Sequence, residues 1–261
     1  MTRIRKAFEN KKAFIAFVTG GDPDLETTEA LIPQMAAAGA DLIEIGIPFS
    51  DPIAEGVVIQ AADERALRAG TTTDKLFDMV KRVRSKVDIP LVFMTYINPV
   101  YTYGSERFAK RCAECGIDGI IVPDVPFEER EEVNGACEAA GIELISMIAP
   151  TSKERIDMIA CQAKGFLYCV SSLGVTGVRS SITTNIREMI DHVKKVSDIP
   201  CAIGFGIATP QQAREMAAVS DGAIVGSAIV ALIAQHGKNC IEPVCRYVQE
   251  MKAAVASAWC I

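Results

Sequence analysis

Ala38-Gly39-Ala40-Asp41-Leu42-Ile43-Glu44-Ile45-Gly46 runs from a helix end through a cap and a polar residue into a strand. Glycine supplies the left-handed residue that commonly ends a helix, and a short apolar run bounded by such a signal reads as a buried strand. The same grammar returns at Cys115-Gly116-Ile117-Asp118, Ala140-Gly141-Ile142-Glu143 and Lys164-Gly165-Phe166. Asp88-Ile89-Pro90-Leu91 and Asp198-Ile199-Pro200-Cys201 are two further strand entries, with proline just ahead of the strand, where its missing N–H does no harm. Working outward, β-rich runs fall near residues 14–19, 42–45, 91–95, 119–122, 143–148, 166–170, 201–203 and 222–225. Between them lie helical patterns such as Leu76, Val80, Val83 and Val87. Strand alternating with helix predicts a parallel sheet. Eight βα units in roughly 250 residues fit a closed barrel better than a doubly wound sheet, which has fewer strands and a glycine fingerprint after the first. With no linker-like stretch, the expectation is one (β/α)8 TIM barrel domain over residues 1–261. A short amphipathic helix with a solvated basic face should cap its N-terminal end, and an extra helix should follow at the C-terminus.

The bulk properties narrow the function. A chain of 261 residues, 49% hydrophobic, can bury one large core. A net charge of −6 argues against nucleic-acid binding. No apolar run is long enough for a membrane span or a secretory leader, so no membrane partner and a cytoplasmic location are expected. Nine cysteines without framework spacing read as free thiols. Cys112 and Cys115 form a CxxC, but with Phe108 they share one helix face, so burial is favoured over zinc or redox chemistry. His192 and His236 fall in helical runs, which disfavours a histidine triad or metal centre.

Barrel chemistry gathers at the C-terminal strand ends. Those ends read Thr19-Gly20-Gly21-Asp22, then Glu44 with the loop Ile47-Pro48-Phe49-Ser50-Asp51-Pro52-Ile53-Ala54-Glu55-Gly56, then Tyr96-Ile97-Asn98-Pro99 and Pro123-Asp124. Ala149-Pro150-Thr151, residues 171–177, Gly204-Phe205-Gly206 and Gly226-Ser227 complete the set. On a strand Leu42, Glu44 and Gly46 share one face, so Glu44 is sunk among apolar neighbours, where a charge needs either a job or a partner. The adjacent glycines of the last loops, with Gly177 before them, predict a phosphate cradle built from backbone N–H groups and a helix N-terminus. No lysine lies at a strand end, so Schiff-base chemistry is disfavoured, and carboxylates and tyrosines remain as acid–base groups.

At this point the chain resembles the tryptophan synthase alpha chain family over essentially its whole length. Four segments carry the resemblance: residues 17–23, residues 42–52, Gly174-Val175-Thr176-Gly177, and Gly204-Phe205-Gly206-Ile207 with Gly226-Ser227. The resemblance implies retro-aldol cleavage of indole-3-glycerol phosphate to indole and glyceraldehyde 3-phosphate, with no cofactor in this chain. It implies a beta subunit partner that carries pyridoxal phosphate and receives the indole in an αββα heterotetramer. Glu44 then serves as the acid–base group and Glu55 as the carboxylate near the ring N–H, where the family has an aspartate. Phe17, Tyr96, Tyr168, Thr176 and Phe205 contact substrate, and Gly177, Gly206, Gly226 and Ser227 bind phosphate. Pro48, Asp51, Asn98, Pro99 and Tyr101 fall where the family docks on its partner. Ser172 in place of an arginine and Val57 in place of a proline are further departures. Two other readings stay open, a substrate-binding regulatory subunit with weak chemistry and a self-sufficient lyase. Another phosphate-binding barrel such as an isomerase is disfavoured, because Glu44 and the loop 47–55 would need a different explanation.

Overall fold

The computed structural model describes residues 1–150, 152–170, 179–204 and 206–260, with 179–185 and 260 through their backbone only. Its centre is a set of parallel strands: β1 (Ala13–Thr19), β2 (Leu42–Gly46), β3 (Leu91–Met94), β4 (Gly119–Ile121), β5 (Glu143–Leu144), β6 (Ser146–Ile148), β7 (Leu167–Val170), β8 (Cys201–Gly204) and β9 (Gly222–Val225). They are ordered β5-β4-β3-β2-β1-β9-β8-β7-β6. The two ends of that order are neighbours in the chain, parted only by Ile145. β5 pairs with β4 and β6 with β7, while the Ile145 N–H reaches the Ile120 carbonyl at 2.9 Å. One broken strand therefore brings the ends of the sheet together, and the expected (β/α)8 barrel is present with residues 143–148 serving each neighbour in turn.

The recurring polar residue before a strand has a structural purpose. Asp41 accepts the Phe14 N–H at 2.7 Å, Asp118 the Leu91 N–H at 2.9 Å and Asp221 the Cys201 N–H at 2.8 Å. Each carboxylate thus satisfies a donor at or near the start of the adjacent strand, which would otherwise be costly to bury. Each also meets a cation: Lys11 and Lys252 on Asp41, Arg3 and Arg84 on Asp118, Lys194 on Asp221. Gly116 and Gly141 end their helices in the left-handed conformation, as the grammar required.

Two apolar layers follow from the strand alternation. Ile43, Ile45, Phe93 and Ile203 face outward against the helices, whereas Ile15, Leu42, Val92, Ile121 and Ile224 fill the lower barrel. The helix Arg3–Lys6 closes that lower end, with Ile4 and the following Phe8 buried and Phe8 lying 5.5 Å from Phe166. Its basic face is less free than expected, because Arg3 pairs with Asp118 at 2.9 Å and Arg5 with Asp198 at 3.0 Å. The extra C-terminal helix, Ile241–Ser257, packs Val244, Val248, Met251 and Val255 against the helices Leu25–Ala37 and Pro210–Val219. Full burial of each such side chain stabilises by about 1.5–3 kcal/mol.

Cys112 and Cys115 are buried as free thiols. Burial pushes Cys115 up to about 11 and Cys112 well above its ordinary value. Among the described residues no helix is long and apolar enough to cross a membrane.

Candidate active site

Glu44 sits on the interior face of β2 with 0% of its surface exposed, and neither carboxylate oxygen has a hydrogen-bond partner. Desolvation alone pushes its pKa up to about 8, because water that would stabilise the charge is excluded and no cation replaces it. Near neutral pH it is mainly a carboxylic acid, able to give a proton and afterwards to accept one.

Phe17 is in register with Glu44 across the β1–β2 pair. Its ring fits only because both neighbouring strand ends lack side chains. A Cβ built on Gly46 would lie 2.7 Å from the ring, and one on Gly226 3.3 Å. Tyr168 on β7 lies over Gly204, where a Cβ would come within 2.3 Å of its hydroxyl oxygen. Burial, followed by the nearby Glu44 charge, raises the Tyr168 phenol above its ordinary value. Tyr168 is therefore a neutral hydroxyl beside the acid.

Glu55 is half-buried in the loop after β2, with Oε2 buried and unpartnered. Burial raises its carboxyl, opposed by hydrogen bonding to Asp63 and Tyr96. Asp63, 3% exposed on the helix Val57–Arg68, is raised by burial and then by the Glu55 charge. Tyr96 stands just before the helix Ile97–Tyr103, whose Ile97 N–H is taken by the Asp124 carboxylate, and is 2% exposed. Its hydroxyl accepts the Ala54 N–H at 3.0 Å, and its ring lies 5.5 Å from that of Phe49. Burial pushes the phenol up to about 12. Tyr96 is thus a latch on the loop that carries Glu55.

Next to β1, at the end of β9, Gly226 precedes the helix Ser227–His236 and offers no side-chain cap. The first-turn N–H groups are left for an external acceptor. Ser227 is exposed at that turn, and Gly206, at φ +72°, is exposed beyond β8. Thr176, Gly177, Phe205 and Ser172 lie outside the described residues. Of the expected partner contacts, Asp51, Asn98 and Tyr101 are exposed, Pro99 is half-buried and Pro48 is buried. Ile53 on this loop and Val57 at the start of the following helix, noted from sequence only as a departure from proline, are each 79% exposed. Asp63 was also missed. Its signal was an acid within the stripe Ile59, Ala62, Asp63, Ala66, whose spacing otherwise marks an inward helix face.

A parallel barrel with a desolvated carboxylic acid at its strand ends, beside an uncapped helix N-terminus, has the layout of a barrel enzyme with its site at the C-terminal strand ends. The family model for the tryptophan synthase alpha chain matches residues 4–256. The chain is 44% identical over 255 residues to the Lacticaseibacillus casei tryptophan synthase alpha chain, covering 98% of this chain and 96% of that one. It is 47% identical over 262 residues to the protein of the same name from Thermoanaerobacter sp. (strain X514), covering 98% of each. Tryptophan synthase subunit alpha from Legionella pneumophila superposes with a TM-score of 0.90 at 36% identity, over 98% of this chain and 99% of that chain. A chain of tryptophan synthase from M. tuberculosis, in its aminoacrylate-bound form, gives 0.86 at 31% identity, over 98% of this chain and 100% of that chain. The chain belongs to the tryptophan synthase alpha chain family.

Proposed function

We propose that this chain is the carbon–carbon lyase of its complex, cleaving indole-3-glycerol phosphate to indole and glyceraldehyde 3-phosphate. The observation that carries the reading is Glu44, fully buried, unpartnered and mainly protonated at neutral pH. Its acid gives a proton to C3 of the indole, which turns the ring into an iminium electron sink. The resulting carboxylate then takes the proton of the side-chain hydroxyl as the C–C bond breaks. The bonding pair moves into the ring, indole and the aldehyde leave, and Glu44 is again protonated. Acid–base help of this kind contributes about 10²–10⁴-fold.

Glu55 stabilises the positive charge that develops at the ring N–H, Phe17 and Tyr168 flank the ring, and Tyr96 holds the loop that carries Glu55. Gly206, Gly226 and Ser227 bind the phosphate with Gly177, while Thr176 and Phe205 complete the substrate contacts. Asp51, Asn98, Pro99, Tyr101 and Pro48 form the face toward a beta subunit that holds pyridoxal phosphate and receives indole in an αββα complex. Exposed Ile53 and Val57 extend that face with apolar surface. The alpha chain works without a cofactor of its own, in the cytoplasm. The test is indole release from indole-3-glycerol phosphate, alone and with a tryptophan synthase beta chain. Slow release that rises with the partner and vanishes in Glu44→Gln is expected. Unchanged release in Glu44→Gln would refute the assignment.

A further inference from the structure

We propose that Asp63 is a positioning residue for Glu55: the two carboxyl groups share one proton, and Asp63 keeps it and donates to the Glu55 carboxylate. The proposal rests on the role given to Glu55 above. It explains how a glutamate serves at a position where the family has the shorter aspartate.

Asp63 is an acid on the inward face of its helix, grouped with buried Ala62 and Ala66. Its Oδ2 accepts a long, 3.4 Å hydrogen bond from the Phe49 N–H, the Phe49 ring lies 5.5 Å from that of Tyr96, and the Tyr96 hydroxyl holds the Ala54 N–H at 3.0 Å, so the same small cluster brings the Asp63 carboxyl to that of Glu55. The helix's nearest cation is already engaged, since Arg65 holds Asp22 through two contacts of 2.8 Å. Among the described residues neither Glu55 nor Asp63 enters an ion pair. The other polar groups facing the pair are the hydroxyls of Tyr96 and Thr19. Ionised carboxylates are acceptors only. Two of them in contact, buried and without a cation, require a proton between them.

The division of that proton follows from the surroundings. Asp63 is almost fully enclosed, whereas Glu55 is half-buried and has the Tyr96 hydroxyl beside it. Charge is therefore better placed on Glu55, which leaves Asp63 as a neutral acid. A donor behind Glu55 folds the longer side chain back toward the helix Val57–Arg68. The extra methylene is absorbed there instead of being pushed into the substrate space. Without that anchor the carboxylate samples positions about 1 Å or more off the ring N–H, and misplacement on this scale costs on the order of 10²-fold.

The experiment compares Asp63→Asn and Asp63→Ala in the parent and in a Glu55→Asp background. It reads indole release from indole-3-glycerol phosphate with a tryptophan synthase beta chain present. Asparagine keeps a donor of the same shape, so D63N should stay within about threefold of the parent, while D63A should lose about 10- to 10²-fold in kcat with little change in KM. In the Glu55→Asp background the shorter acid no longer reaches the helix, and D63A should add no further loss. An infrared difference spectrum of parent against D63N at neutral pH should show a protonated carboxyl C=O band that the variant lacks. A parent-like kcat in D63A, equal losses in both backgrounds, or absence of that band would overturn the proposal. If the parent releases no indole, or if Glu55→Gln keeps full kcat, the assigned function of Glu55 fails instead. The infrared band then still decides whether Asp63 holds the proton.

Discussion

Replacing Glu44 by glutamine should stabilise the protein in a way that depends on pH. The carboxyl titrates near 4.5 when exposed and near 8 in the fold, so the folded state binds the extra proton between those values. Stability changes with pH as the difference in protons bound between unfolded and folded states, which is negative here. The Glu44 contribution is therefore complete below about pH 4.5 and is lost as pH rises toward 8. Each pH interval costs about 1.4 kcal/mol, which sums to roughly 3 kcal/mol at pH 7 and roughly 5 kcal/mol above pH 8. Glutamine keeps the shape and has no charge to lose. Urea denaturation of the parent and Glu44→Gln at several pH values between about 5 and 8.5 should show the gap widening by several kcal/mol in favour of glutamine. The difference between two pH values also cancels any fixed effect of exchanging carboxyl for amide. A gap constant across that range would mean that Glu44 is charged in the fold with a partner, and the acid–base reasoning would fall.

Other substitutions test other parts of the structure. Asp41→Ala removes the acceptor of the Phe14 N–H and the partner of Lys11 and Lys252. It should cost about 2–3 kcal/mol in denaturant titrations while indole release at the opposite end of the barrel stays near parental. Gly204→Ala places a methyl within 2.3 Å of the Tyr168 hydroxyl oxygen. It should cut kcat/KM at least about tenfold and lower stability by about 1–3 kcal/mol, measured by steady-state kinetics and thermal melts. Thiol labelling of the native protein should be fast at exposed Cys161 and absent at Cys112, Cys115 and Cys137 until denaturant is added, as peptide mapping would show.

Much of the barrel was legible because its signals are local. The glycine cap, the following carboxylate and the short apolar run sit within a few residues of one another, and Asp41 and Asp118 act on the strand just beside them. The break at Ile145 was not legible, because it depends on which neighbour each half of residues 143–148 pairs with. The burial of Glu44 could be read from strand alternation. Tyr96 was expected among the substrate contacts, yet its bond to Ala54 is a loop-to-loop contact that no spacing encodes. Asp63 hid within Ala61-Ala62-Asp63-Glu64-Arg65, which reads as an ordinary solvated helix turn. Only helical phase, taken together with the position of Glu55, distinguishes it from the exposed acid next to it.

The two carboxylates of the site rest on supports of different stiffness, and this separates what a partner subunit can change. Glu44 belongs to a strand paired on both sides, by β1 and β3, and it is already fully desolvated. Closing further protein over the barrel can add little to its pKa. Glu55 belongs to a loop that exposes Ile53, with Val57 at the start of the next helix, each 79% exposed, and that is latched by Tyr96 and Asp63. A partner subunit that covered that apolar surface would act first on Glu55. Partner addition should therefore raise kcat without moving the alkaline limb of the pH profile, where rate falls near pH 8 as Glu44 loses its proton. Measuring the profile in Asp63→Asn as well removes the second carboxyl that titrates in the same region. A limb displaced by more than about one pH unit on partner binding would mean that the beta subunit reaches Glu44 itself. The rigid strand would then have to be counted among the moving parts.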